Sequence, residues 1–519
     1  MRLNKVCEYP GTGTELAKDT PRVDNQRSRG QAGLLSPESP RSTHSSQSVV
    51  NVDFPASYFL NPARFTPVSA FALCGDQDPW ARGLPRFTHD ETKDIFDRYI
   101  STVHTWFPFL SPKRLSRELQ TPGDAGAGVS NMLLLLCMKL VTQPCALHPG
   151  ATYDEVEALY GSAKQHCTAA EISGSVSLRL IQALSLLAVY ELGHAIYPCA
   201  YLTIGRAARL CGLIGLHSRK HAQQLFVPPE TWTMREEQRR TWWAVFILDR
   251  YVRASPNVST NKLTPFLLTR RFVSPAKSGM PFSAPEPGAD ALLPCCDDDW
   301  NAGRVSASQP LLVRTFHIAM DLGGFARTCQ AAHMLSRVLA HVDPARQAGA
   351  DVTERLSEAL RYHEAFTVLD ASLHESHGTL DDMALSPGKP DFTALAICCS
   401  ARSLLYSQYG CNEPDGSAGA ERIALETEAQ SISHRDTHMM ASTTIPMIAR
   451  VTADAETHSP FIAHCMYYAA IQCTWFIKED HDPTMYEALS KILNGLEAIR
   501  RNWRVGGKSP LFLFGNFDL

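Results

Sequence analysis

The segment Glu236-Glu-Gln-Arg-Arg-Thr-Trp-Trp-Ala-Val-Phe-Ile-Leu-Asp-Arg-Tyr251 leaves a folding chain few options. Charge crowds its first turn, two adjacent tryptophans hold its middle, and an Asp-Arg pair interrupts its apolar half. On a helix, Trp242, Val245 and Phe246 form one stripe, and Trp243, Ile247 and Tyr251 form the next. Stripes that cover this much circumference place a helix inside a core. Asp249 then sits among apolar neighbours. An unpaired buried carboxylate is too costly to keep, so Asp249 is expected to hold an architectural ion pair. Glu236, four residues before Arg240, has the favourable orientation of a helical ion pair worth ~0.2–0.5 kcal/mol.

The rest of the chain repeats the helical theme. Thr88-His-Asp-Glu91 reads as a capping box, in which the Thr hydroxyl and the Glu carboxylate satisfy each other's backbone amides. Ile95, Phe96, Tyr99, Ile100 and Val103 follow as one apolar face until Pro108. The same device is expected at Thr152-Tyr-Asp-Glu155 and at Thr233-Met-Arg-Glu236. Further helices are predicted near 131–142, 176–194, 199–214, 311–342, 352–373, 391–408, 420–433, 461–478 and 484–503. Strand signals are sparse, so the expected fold is all-α. It is a large helical domain with long irregular loops, at about 255–310 and 376–390. In 199–214, Ala200, Ile204, Ala207, Ala208 and Cys211 share a face beside Gly205, a spacing that lets another helix approach closely. Arg206 and Arg209 fall outside that stripe. They read either as a basic surface edge or, for one of them, as the partner of Asp249.

Composition narrows the function classes. A chain of 519 residues that is 44% hydrophobic can bury a large core, while its net charge of −4 removes any whole-chain attraction to nucleic acid. No apolar run approaches the ~18 residues of a membrane span; Met132 to Met138 stops at Lys139. The N-terminus has no signal-type apolar stretch, so the expected protein is intracellular and soluble. The 15 cysteines include no Cys-x-x-Cys and are read as reduced, mostly buried thiols. Residues 10–50, rich in Pro, Ser, Gly, Arg and Gln, cannot bury enough apolar surface to offset their entropy. The expected division is 1–9, a disordered linker at 10–84, a helical domain at 85–505, and a tail at 506–519.

Catalytic constellations are not apparent. Phosphate-cradling glycine loops, dinucleotide fingerprints and nucleophile elbows are missing. The pairs His217/His221 and His434/His438 have helical metal-ligand spacing but no third ligand. Asp297-Asp-Asp299 and Asp381-Asp382 read as solvated acidic loops, with a cation site or acidic activation patch as the alternative at 297–299. An all-α enzyme is the remote reading.

The Trp-Trp helix, taken with Tyr201-Leu-Thr-Ile-Gly-Arg-Ala-Ala-Arg-Leu-Cys-Gly-Leu-Ile-Gly-Leu216 before it, resembles the middle homology region of fungal zinc-binuclear-cluster transcription factors. Arg206, Arg209, Arg239, Arg240, Trp242, Trp243, Asp249 and Arg250 carry that signature. Leu292-Leu-Pro-Cys-Cys-Asp-Asp-Asp-Trp300 is similar to the family's acidic loop, Gly323 to Leu339 to a later helix, and Trp503 with Gly506-Gly507 to the closing segment. Arg2-Leu-Asn-Lys-Val-Cys-Glu-Tyr9 resembles the end of a zinc cluster, with Cys7 as its sixth cysteine; a chance cysteine in a basic tail is the alternative.

The resemblance implies a nuclear transcription regulator of a metabolic gene set, of the kind that sits beside secondary-metabolite clusters. One thiolate cannot hold zinc, so no cofactor is expected in the chain as given, and zinc only where a complete cluster is encoded upstream. Implied partners are promoter DNA, directly if the cluster is complete and otherwise through a partner factor, and the transcription machinery. A small-molecule effector is left open, and no membrane is expected. The alternative is a truncated, non-DNA-binding partner of a complete zinc-cluster factor.

Overall fold

The computed structural model describes residues 81, 83–120, 125–144, 153–217, 229–254, 281–288, 291–311, 322–347, 349–375, 392–410, 419–454 and 457–507. Among them the architecture is all-α; the only strand-like feature is one antiparallel bridge between Leu292 and Pro310. The helices are α1 His89–Ser101, α2 Pro112–Gln120, α3 Ala125–Val141, α4 Tyr153–Ile172, α5 Leu178–Gly193 and α6 Tyr197–Leu213. Then come α7 Trp232–Ala254, α8 Asp297–Ala302, α9 Gly324–His341, α10 Pro344–Gln347, α11 Val352–Glu375 and α12 Thr393–Tyr406. The last are α13 Ala420–Met439, α14 Ile445–Asp454, α15 Ile462–Glu479 and α16 Thr484–Asn502.

Local sequence explains most of these boundaries. At α1 the capping box forms: Glu91 N–H donates to Thr88 Oγ1 at 3.3 Å, and Thr88 N–H donates to Glu91 Oε2 at 2.8 Å. The second expected box begins at Thr152, outside the described residues. The third does not form. Helix α7 starts at Trp232, and Met234 N–H donates to Thr231 Oγ1 at 3.2 Å, so the cap lies two residues earlier. Glu236 is fully buried and is needed elsewhere.

Every residue of α5 from Arg179 to Gly193 is buried, as expected for a helix that is apolar nearly all round. It packs against α3, α6 and α7. Helix α7 in turn touches α5 and α6 on one side and α9 on the other. From α9 the packing runs to α12, then α15, then α16, which lies against α14. The Trp-Trp helix is thus the joint between an N-terminal and a C-terminal group of helices. Trp242 is 6% exposed and Trp243 1%.

Several stretches depart from expectation. The helix predicted at 420–433 runs on through α13, a π-turn at Met440–Thr444 and α14. Of the one predicted at 311–342, residues 312–321 lie outside the described residues, and the described helix runs from Gly324 to His341. Helices α2, α8 and α10 lie outside the predicted spans; α8 and α10, with 6 and 4 residues, are too short to show a period.

Candidate functional site: the buried charges of the central helix

Helix α7 carries Glu236, Glu237, Arg240, Asp249 and Arg250 into the core, and each of these finds a partner. In the first turns Glu237 is the hub. Arg179 Nη1 of α5 donates to its Oε1 at 2.9 Å, Arg114 Nη1 of α2 donates to its Oε2 at 2.7 Å, and Gln182 Nε2 donates to Oε1 at 3.1 Å. Glu118 joins by accepting from Arg179 Nη2 and Arg114 Nε, both at 2.7 Å. Burial disfavours the charge of Arg179, but Glu237 and Glu118 outweigh it and hold its pKa above the ordinary value.

Glu236 serves a second group. Arg240 Nε donates to its Oε1 at 3.1 Å, and the backbone N–H of Cys295 donates to the same oxygen at 2.8 Å. Arg239 closes the carboxylate from the other side and also reaches Ser308. Arg240 is completely enclosed. It donates to Pro108 O, Asp297 Oδ1 and Cys295 O, each at 2.8 Å. Its guanidinium carbon lies 4.8 Å from the centre of the Trp300 ring and 5.5 Å from that of Phe325. Burial again opposes the charge, and Asp297 and Glu236 more than compensate, so its pKa is raised. The Cys295 thiol, pushed up by burial and by Glu236, sits at about 12 and is inert at neutral pH.

At the far end, Asp249 pairs with its neighbour Arg250 and accepts the backbone N–H groups of Ser283 at 3.2 Å and Ala284 at 3.1 Å. Burial raises the Asp249 pKa, and Arg250 opposes the shift without cancelling it. Arg250 donates to Ser336 Oγ at 2.6 Å, Ala284 O at 2.9 Å and Glu286 Oε1 at 3.1 Å. It lies between the Phe246 and Phe282 rings, 4.2 and 4.1 Å from their centres.

One physical purpose unites the contacts around Glu236–Arg240 and Asp249–Arg250. Residues 281–288 and 291–296 are irregular, yet Ala284, Leu293 and Cys295 are buried. Buried irregular backbone lacks the hydrogen bonds of a helix, and orphaned amide groups are costly. The charges of α7 supply the missing partners: Glu236 and Asp249 accept the amides, while Arg240 and Arg250 donate to the carbonyls. Trp243 does the same through its indole N–H, which donates to Leu292 O at 2.9 Å. The Trp-Trp helix is a spine to which a loop is fastened.

The Glu236–Arg240 helical pair forms as expected, with both side chains fully buried within a larger network. Several expectations need correction. Asp297 is not in a solvated loop. It opens α8, accepts Phe325 N–H at 2.9 Å and pairs with Arg240. Arg206 pairs with Glu171 at 3.4 Å and donates to Thr168 at 3.1 Å, so it is not the partner of Asp249. Arg209 is exposed, facing the same Glu171. Asp249 takes its adjacent residue instead, because the loop amides lie on that side of α7. Sequence reading missed Glu237, Arg179, Gln182 and Glu286. An arginine inside the apolar run Leu178-Arg-Leu-Ile was the available signal.

The remaining candidates separate. Cys7, His221 and Asp381-Asp382 lie outside the described residues. His217 packs near Trp242, with ring centres 5.9 Å apart. His434 faces Asp480 at 3.8 Å and His438 faces Asp482 at 2.8 Å, so the two imidazoles do not converge. Among the described residues no group of three or more His, Cys, Asp or Glu is placed to hold a metal ion, and no helix is long and apolar enough to cross a membrane.

Comparison with known proteins places this arrangement. The family described as Fungal specific transcription factor domain matches residues 96–264, from α1 past the end of α7. Transcription factor BOA15 of Botryotinia fuckeliana is 44% identical over 151 residues, 29% of this chain and 79% of that protein. The Depudecin biosynthesis cluster-specific transcription activator DEP6 of Alternaria brassicicola is 26% identical over 175 residues, 31% of this chain and 26% of that protein. The Ascochitine biosynthesis cluster transcriptional regulator of Didymella fabae is 31% identical over 135 residues, 25% of this chain and 24% of that protein. The match thus spans about a quarter of the length of these two cluster regulators. No solved structure matches. With the identity to BOA15 extending over most of that relative, the chain belongs to the family of fungal-specific transcription factor domain proteins and is a transcription regulator.

Proposed function

We propose that this protein acts in the nucleus to control a secondary-metabolite biosynthetic gene set, and that the helical region 85–505 is its regulatory domain. The observation that carries the reading is the run of relatives named as regulators of biosynthetic clusters, depudecin and ascochitine among them. The geometry is consistent with control rather than catalysis. The buried carboxylates of α7, Glu236, Glu237 and Asp249, are all occupied by arginines and backbone or amide N–H donors.

Contact with promoter DNA runs through a zinc cluster, either encoded with this protein or carried by a partner factor. The 519 residues contain no Cys-x-x-Cys. The purified chain with added zinc is therefore expected to give no sequence-specific shift of CGG-type half-sites, and a specific shift would contradict this. The wider reading is tested by comparing transcripts with and without the gene. A coordinated change confined to one biosynthetic gene set is expected; an unchanged transcriptome under producing conditions, or exclusion of a tagged protein from nuclei, would overturn it.

A further inference from the structure

Two signature arginines, Arg206 and Arg209, take no part in fastening the loop. They lie on an outward stripe of α6 that runs Leu202, Arg206, Arg209, Leu213 at helical spacing. The flank beside it is covered. Tyr201 donates its hydroxyl to Pro281 O at 3.2 Å, and a Cβ on Gly205 would lie 3.2 Å from Ser283 Oγ. The stripe itself is open. Leu202 is 57% exposed, Arg209 is exposed, and Arg206 and Leu213 are half-buried. Ile172, the last residue of α4, is 82% exposed and follows Glu171, the carboxylate that pairs with Arg206 at 3.4 Å. Ile172 and Leu202 are two of the three most exposed large apolar residues among those described.

The charge on this face is unbalanced. Glu171 is engaged by Arg206, and burial pushes its pKa up, which weakens it as a counter-ion. Arg209 forms no hydrogen bond or ion pair among the described residues. Lys164, on the α4 flank, is already bound to Glu191 and Thr203. In a chain of net charge −4, Arg209 therefore sets a positive point on an apolar stripe.

We infer that this face docks an amphipathic helix of a partner protein, one with apolar residues at i, i+3, i+4 spacing and carboxylates between them. The apolar residues meet Leu202, Leu213 and Ile172, and a carboxylate takes the unpaired guanidinium of Arg209. From Leu202 to Leu213 the helix rises about 16 Å, which suits a partner of about three turns. Nucleic acid is the poorer fit, because phosphate binding needs a run of cations and this stripe has two set among leucines.

The inference goes beyond the gene set proposed above and is read on the purified full chain. The probe is a fluorescein-labelled peptide of about 14 residues, with leucines at i, i+3, i+4 spacing and glutamates and alanines elsewhere. Its anisotropy is expected to rise and saturate as the chain is added. The same peptide with lysine for every glutamate should bind at least about tenfold more weakly. Arg209→Glu and Leu202→Ser, both at exposed positions, should each weaken binding at least about tenfold with the thermal melt unchanged. Lys491→Glu, on the exposed face of α16, should leave binding as it is. No binding by the wild-type chain, equal binding of the lysine peptide, or unchanged binding in the folded Arg209→Glu and Leu202→Ser variants would each overturn the inference. So would a loss in Lys491→Glu equal to that in Arg209→Glu, which would mean charge attraction without a site. Sedimentation showing a dimer that Leu202→Ser dissolves would assign the face to a second copy of the chain and overturn it too.

Discussion

Arg240 is the residue on which the central helix most depends. It touches four chain segments: its own helix through Glu236, the α1–α2 connection through Pro108, the loop through Cys295, and α8 through Asp297. Removing one member of a buried charge network leaves the others uncompensated, which costs about 3–5 kcal/mol. Arg240→Ala should therefore lower stability by that order in chemical denaturation. Glu236→Leu combined with Arg240→Met should recover part of the loss. A single variant no less stable than the double one would contradict the coupling. Gly193 poses a different demand. A Cβ there would overlap the Trp503 indole, whose N–H donates to His458 O at 2.8 Å and so fixes the ring in place. Gly193→Ala should cost about 1–3 kcal/mol through overpacking, measurable as a lowered Tm.

Among elements, α7 and the irregular segment it holds are energetically one unit. Asp249→Ala removes the acceptor for the Ser283 and Ala284 amides and leaves Arg250 with Glu286 alone as a charged partner. The expected outcome is faster proteolytic cleavage within 281–288, detected by mapping fragments, before any change in global unfolding. Cleavage at the wild-type rate would show that the segment is held by its apolar contacts instead. The sequence made the spine legible and the fastening illegible, and the difference is physical. Trp242, Trp243 and the stripes around them follow from local periodicity. The Arg179–Glu237 bond joins residues 58 apart, and Arg240–Asp297 joins residues 57 apart. Such pairings depend on which helix faces which. The acidic triplet at 297–299 looked like solvated loop because its helical turn is short and its partner is distant.

Across the whole molecule, buried imidazoles set the response to acid. Burial holds His104, His194, His333 and His464 each at about 4. Their pKa values in the folded state lie below the ordinary ~6.5 of the unfolded chain, so the unfolded state binds more protons between those limits. Stability is then fully retained above about pH 6.5. It falls as pH drops toward 4, by up to about 1.4 kcal/mol per pH unit for each histidine. Glu118, paired with Arg179 and Arg114, works in the same direction, because its lowered pKa makes protonation unfavourable to the fold. Asp249 works oppositely, since its raised value favours the folded state in acid. Denaturant midpoints measured between pH 7.5 and 4.5 should decline steeply below 6.5, and a flat profile would refute the neutral burial of these rings.

The indole of Trp503 resting on the backbone at Gly193 has a consequence for synthesis. An early helix is sealed by a side chain that the ribosome adds some three hundred positions later. Until then the nascent N-terminal helices wait with one flank uncovered, a state in which chaperones can act on them. A message broken before that codon would yield a product lacking the lock, however intact its first half.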